Sequence, residues 1–103
     1  MKYLFLLFPI LCFAETPEEI NDRINEVFWG TRNACYITVV SKKIEFDQAG
    51  YKSRIVIVNT GRGRKHAMVS YQGMCYDDLQ GVTVGVNPCK DVHRLYPLVR
   101  YEN

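Results

Sequence analysis

An α+β fold, two N-terminal helices packed on an antiparallel sheet of four or five strands, is what this sequence predicts, and three observations carry the prediction. Apolar residues recur at helical spacing early in the chain, as Ile20, Ile24, Val27 and Phe28 and then as Tyr36, Val40 and Ile44. Ile55-Val56-Ile57-Val58 runs apolar without a break, as in a strand covered on both faces. Ala67, Val69 and Tyr71 alternate with Met68, Ser70 and Gln72, and Gln72-Gly73 then offers a tight turn.

The chain opens with Lys2 and the apolar run Tyr3 to Phe13, after which Cys12-Phe13-Ala14 places small residues where a signal peptidase reads them. This predicts an export signal over residues 1–14, with cleavage before the polar Glu15-Thr16-Pro17. A membrane span takes about 20 apolar residues, and this run is shorter. Residues 15–103 then form a single exported domain, periplasmic or secreted, near the lower end of what builds a core unaided.

Thr16-Pro17-Glu18-Glu19 has the features of a helix entry: a hydroxyl cap, proline at the first helical position and acids at the positive end of the dipole. The first helix is expected from Pro17 to Phe28, ending near Gly30. Trp29 to Asn33 delivers the chain to Cys35, which opens a second helix running to Gln48. Tyr36 to Val40 alone is rich enough in β-branched residues for a strand. Lys42, Lys43 and Glu45 break any period of two, however, and Gly50 stands where a helix needs a left-handed residue to end. Ser53 to Asn59 is the clearest strand. Thr60 to Gly63 is a turn, His66 to Tyr71 a second strand, and Met74 to Tyr76 its antiparallel return. Val82 to Val86 and His93 to Tyr101 supply one or two further short strands.

Three cysteines follow the signal, and an oxidising compartment pairs what it can, so one thiol is left over. Cys75 and Cys89 lie close in sequence with a Gly-containing connection between them. They are the expected disulfide, which leaves Cys35 free; a bridge from Cys35 to either one, or three buried thiols, are the alternatives. Thirteen Lys and Arg stand against eleven Asp and Glu, so no large field calls for a nucleic acid or an anionic membrane. Arg62-Gly63-Arg64-Lys65 is the one basic concentration, and a phosphate cradle would open a helix where a strand is expected here.

A thiol at a helix start gains dipole and backbone N–H groups that lower its pKa and hold an oxyanion, so Cys35 is the candidate nucleophile. His66 is the candidate base, with His93 ranked below it for want of an acid partner. The turn chooses the acid. If Gln72-Gly73 is a two-residue turn, Tyr71 faces Met74 and Met68 faces Asp77, which puts Asp77 on the sheet face of His66. A three-residue turn would select Asp78 instead, because a one-residue slip flips every side chain.

In order and spacing, Cys35, Gly50-Tyr-Lys-Ser-Arg-Ile-Val-Ile-Val58, His66-Ala-Met-Val and Gly73-Met-Cys-Tyr-Asp77 resemble the transglutaminase-like branch of the papain-like superfamily. There a cysteine begins a helix, a glycine leads into an Ala-Arg-Val-Val strand, and His-Ala-Trp-Val precedes a Gly turn and a Trp/Tyr-x-Asp segment. The resemblance spans roughly Gly30 to Gly81. It departs at Met68, where the family often carries tryptophan, and in lacking a Pro-Thr pair after the acid. It implies a papain-like core, Cys35 as nucleophile, His66 as base and Asp77 as the group orienting the histidine. Trp29, six residues before Cys35, is read either as a cleft residue that supports the oxyanion or as a core tryptophan.

The expected function is thiol-dependent acyl transfer on a peptide or carboxamide bond, as a peptidase, amidase or cross-linking enzyme, with a protein or peptide substrate and no cofactor or metal. The alternative is a non-catalytic exported module that binds a protein or envelope surface on the same scaffold. A third reading gives the Arg62 to Lys65 loop an anionic polymer to bind.

Overall fold

The computed structural model describes residues 15–28, 35–77 and 85–103. Among them lie helices α1 (Pro17–Val27), α2 (Cys35–Gln48) and α3 (Cys89–Leu95), and strands β1 (Arg54–Gly61), β2 (Arg64–Tyr71), β3 (Met74–Tyr76), β4 (Val86–Pro88) and β5 (Leu98–Glu102). The strands form one antiparallel sheet in the order β4-β3-β2-β1-β5. The fold is therefore α+β, with two helices ahead of a five-stranded sheet. The expected signal at residues 1–14, Trp29, Asp78 and the stretch 82–84 lie outside the described residues. No described helix is long and apolar enough to cross a membrane.

Local chemistry accounts for the helix ends. Thr16 and Glu19 make a capping box: the Glu19 amide donates to Thr16 Oγ1 at 3.1 Å and the Thr16 amide to Glu19 Oε1 at 2.8 Å. At the C-terminal end of α2, Gly50 takes φ 94°, a conformation that costs glycine little. The Tyr51 amide can then donate to the Phe46 carbonyl at 2.8 Å and the Gly50 amide to Asp47 at 3.1 Å, the paired bonds of a Schellman ending. Asp47 next ties the helix to the sheet by accepting from the Ser53 amide and hydroxyl, each at 3.0 Å. Burial alone would raise the Asp47 carboxyl, but hydrogen bonds from Lys43 and Ser53 outweigh it and hold the group below its ordinary value.

The sheet is covered on both faces, as the unbroken Ile55 to Val58 run requires. Strand residues of one parity, Ile55, Ile57, Ala67, Val69 and Tyr76, pack with Ile20 and Ile24 of α1 and Val39 and Phe46 of α2. The other parity, Val56, Val58, Met68 and Cys75, packs with Cys89 and Val92 of α3.

Three expectations need correction. His93 does not lie in a strand: Cys89–Leu95 is helical, and the last strand begins at Leu98. His66 is not at a strand start but two residues inside β2, because Arg64 and Lys65 already pair with Gly61 and Asn59 and leave Arg62-Gly63 as the turn. The helical stripes also face differently than the apolar spacing suggests. Val27, Tyr36 and Ile44 are exposed, while Asn21, Asn25, Thr38 and Lys42 are buried, since α1 and α2 pack against each other as well as the sheet.

Cys75 and Cys89 are disulfide-bonded, with Cα atoms 5.1 Å apart and 14 residues of separation. The bond pins β3 to the start of α3, where Cys89 also donates its amide to the Gly73 carbonyl at 2.8 Å. Closing a loop of this size is worth about 3 kcal/mol through the unfolded chain. Urea unfolding with and without reductant should show a loss of that order, and an unchanged midpoint would mean the bond adds nothing.

Candidate active site

The β2-β3 hairpin builds the centre of the candidate site. Gln72 and Gly73 both take positive φ, 48° and 79°, so the connection is the two-residue turn whose twist matches its strands. The register follows: Tyr71 pairs with Met74, Ser70 with Cys75 and Val69 with Tyr76. Asp77, the next residue, comes opposite Met68, one diagonal step from His66 on the same face.

The two side chains meet. His66 Nε2 lies 2.7 Å from Asp77 Oδ1, and the Asp77 side chain has no exposure while that of His66 retains 12%. The bond to the carboxylate selects the tautomer and orientation of the ring: Nε2 carries the proton that Asp77 accepts. Proton exchange with a reacting group would therefore run through Nδ1.

Asp77 stands just past the end of β3, and its backbone is held from two sides. Its amide donates to the Gly85 carbonyl at 3.0 Å. Its carbonyl accepts from Asn21 Nδ2 at 3.3 Å and Asn25 Nδ2 at 3.1 Å, both from α1. Sequence reasoning missed these asparagines. The available signal was a pair of amides four residues apart, each directly following Ile20 or Ile24 on the apolar stripe of α1. Just before Asp77, burial pushes the Tyr76 phenol up to about 12, with the Glu18 carboxylate adding to the shift.

Cys35 is the first residue of α2. Tyr36, which follows it, lines a cavity of about 250 Å³ together with Ile57, Lys65, His66, Ala67 and Arg100. Three of these residues form a cross-strand row, Ala67 beside Ile57 beside Arg100. Tyr36 donates to Glu102 Oε1 at 3.2 Å, which raises its phenol, and Glu102 also accepts from Arg100 at 3.0 Å.

The faces matter for any chemistry. His66 pairs with Val58, and Val58 belongs to the cluster that α3 covers. Strand alternation thus sets the His66 and Asp77 side chains toward the α3 side of the sheet, whereas α2 packs on the opposite side. His93, the other histidine, is on α3, and neither ring nitrogen has a hydrogen-bond partner among the described residues. No cluster of three or more His, Cys, Asp or Glu that could hold a metal occurs among the described residues. Compared with protein-family models, with curated proteins and with solved structures, the chain finds no match.

Proposed function

We propose that this chain is an exported thiol-dependent acyl-transfer enzyme, a transglutaminase-like peptidase, amidase or cross-linking enzyme of papain-like type. The observation that carries the reading is the 2.7 Å bond between His66 and a fully buried Asp77. Burying an ionisable pair in so small a domain is no better for stability than filling the space with apolar side chains, so its presence points to a task.

The chemistry would run as follows. His66 Nδ1 takes the Cys35 thiol proton, and the thiolate adds to the carbonyl carbon of a carboxamide or peptide. The first amides of α2 stabilise the resulting oxyanion. The imidazolium, steadied by Asp77, returns its proton to the departing amine as the C–N bond breaks and a thioester forms. Water or a lysine amine then gives a proton to His66 as it adds to the thioester carbonyl, and the C–S bond breaks to release an acid or a cross-linked amide while the Cys35 sulfur takes the proton back. The scheme requires the first turn of α2 to bring Cys35 around the sheet to the Nδ1 side of the ring.

One observation favours the rival, a non-catalytic exported binding module. The Val58 pairing sets the imidazole on the face away from α2. Such a module would use surfaces such as β5, where Leu98, Val99 and Tyr101 are exposed along a sheet edge.

Thiol labelling separates the two. Iodoacetamide titration of the protein without reductant, mapped by peptide mass, is expected to label Cys35 with an apparent pKa well below the free-thiol value of about 8.5. His66→Gln, which keeps a donor for Asp77 but no base, should move that value back up. A Cys35 that labels as an ordinary thiol whatever stands at position 66 would leave the binding module as the better account.

A further inference from the structure

We infer that Asn21 and Asn25 are positioning residues, a two-amide clamp by which α1 sets the orientation of Asp77 and, through it, of the His66 ring. The inference deepens the reading of His66 and Asp77 as a working pair and rests on it, but it does not depend on the role of Cys35.

The strand ladder stops short of Asp77. β3 ends at Tyr76, so the last paired residue precedes the carboxylate by one position. Beyond that point the Asp77 amide donates to the Gly85 carbonyl, and its own carbonyl takes donors from outside the sheet. Both come from α1. Asn21 and Asn25 sit one helical turn apart, so their side chains project from one face and converge on a single oxygen. With the carbonyl held by two donors and the amide by one, the peptide planes on either side of Asp77 Cα are fixed. The carboxylate then has little freedom other than its own side-chain torsions.

Stability does not explain the choice of residue. Asn21 is wholly buried and Asn25 is 4% exposed, in a stripe whose other buried members are Ile20 and Ile24. Each amide brings an oxygen as well as a donor, and neither Oδ1 has a hydrogen-bond partner among the described residues. A buried acceptor left unmet is a standing cost that an apolar side chain of the same shape avoids. Two such costs at adjoining turns, both incurred to reach the same carbonyl, mark that carbonyl as the reason the asparagines are there.

The test is the double variant Asn21→Leu/Asn25→Leu, which keeps the branching of the side chains while removing both donors and both unmet oxygens. Nitrogen-15 spectra of the whole protein report the tautomer of the His66 ring, with His66→Gln assigning its signals. The folded variant exchanges two unmet asparagine oxygens for one unmet Asp77 carbonyl, so its urea midpoint is expected to change little. Its His66 ring should shift from the Nε2–H tautomer toward a mixture, and the Nε2 proton should exchange with solvent about tenfold faster, the change expected when one hydrogen bond's worth of local stability is lost. A merely structural role would move the midpoint and leave the ring signals alone. Unchanged ring signals in a folded variant would overturn the clamp. Should the double variant not fold, Asn25→Leu alone carries the same readout, and failure of both to fold would show the asparagines to be structural and overturn it equally. Iodoacetamide labelling keeps the two readings apart. A Cys35 that is ordinary in the unaltered protein defeats acyl transfer while the ring signals still decide the clamp. A reactive, His66-dependent Cys35 that the leucine pair leaves untouched defeats the clamp alone.

Discussion

Phe46→Ala is expected to cost about 3–5 kcal/mol, the range for deleting a large aromatic side chain from a packed core. Phe46 has no exposure, and its ring makes edge-on contacts with Tyr76, Tyr51 and Tyr71 at centroid distances of 5.1, 6.3 and 6.4 Å. It is the residue through which α2 reaches its own Schellman ending at Tyr51 and both strands of the β2-β3 hairpin, at Tyr71 and Tyr76. Removing it deletes all three contacts and leaves a cavity that closes only if the remaining Tyr51–Tyr71 edge contact, 5.3 Å between centroids, gives way. A domain of this size has about 5–15 kcal/mol in total, so urea unfolding should show the midpoint falling by about a fifth or more. A loss under about 1 kcal/mol would mean that the aromatic group relaxes around the gap and that α2 is held elsewhere.

His66→Leu is the second large effect. It strips the 2.7 Å partner from a carboxylate that has no exposure, and breaking such a pair from one side costs about 3–5 kcal/mol at neutral pH. Replacing both residues, as His66→Leu/Asp77→Leu, should return stability to within about 1 kcal/mol of the original protein or above it, because neither member of the pair is then left buried alone. The comparison separates stability from function. If the pair exists for chemistry, the double variant regains its urea midpoint and still loses whatever activation Cys35 showed. If the single variant costs nothing, the pair is not ionic in the folded protein and the argument from buried charge fails with it.

Much of this fold is legible locally. The capping box at Thr16 and Glu19, the glycine ending at Gly50 and the two-residue turn at Gln72-Gly73 each follow from a few adjacent residues, because caps and turns are settled by backbone groups within one turn of each other. The same locality puts His66 and Asp77 side by side. Once the turn length is known, a period of two determines which side chains share a face. The pairing of Cys75 with Cys89 was legible for a related reason, since few residues separate them and the chain between must fold back.

What the tertiary structure alone decided is which surface meets which. The α3 helix spans seven residues between Pro88 and Pro97, too few for apolar spacing to reveal a helical period, so His93 and Leu95 pass for strand residues until the helix is seen against Met68 and Cys75. The stripe of α2 that turns inward was likewise set by α1 and the sheet together, which is how Lys42 comes to be buried while Ile44 faces out. The clamp from Asn21 and Asn25 joins residues more than fifty positions apart. Spacing within one segment carries no information about such contacts. They depend on the side of the sheet each helix crosses to, and that is fixed only when every apolar face in the chain is buried at once.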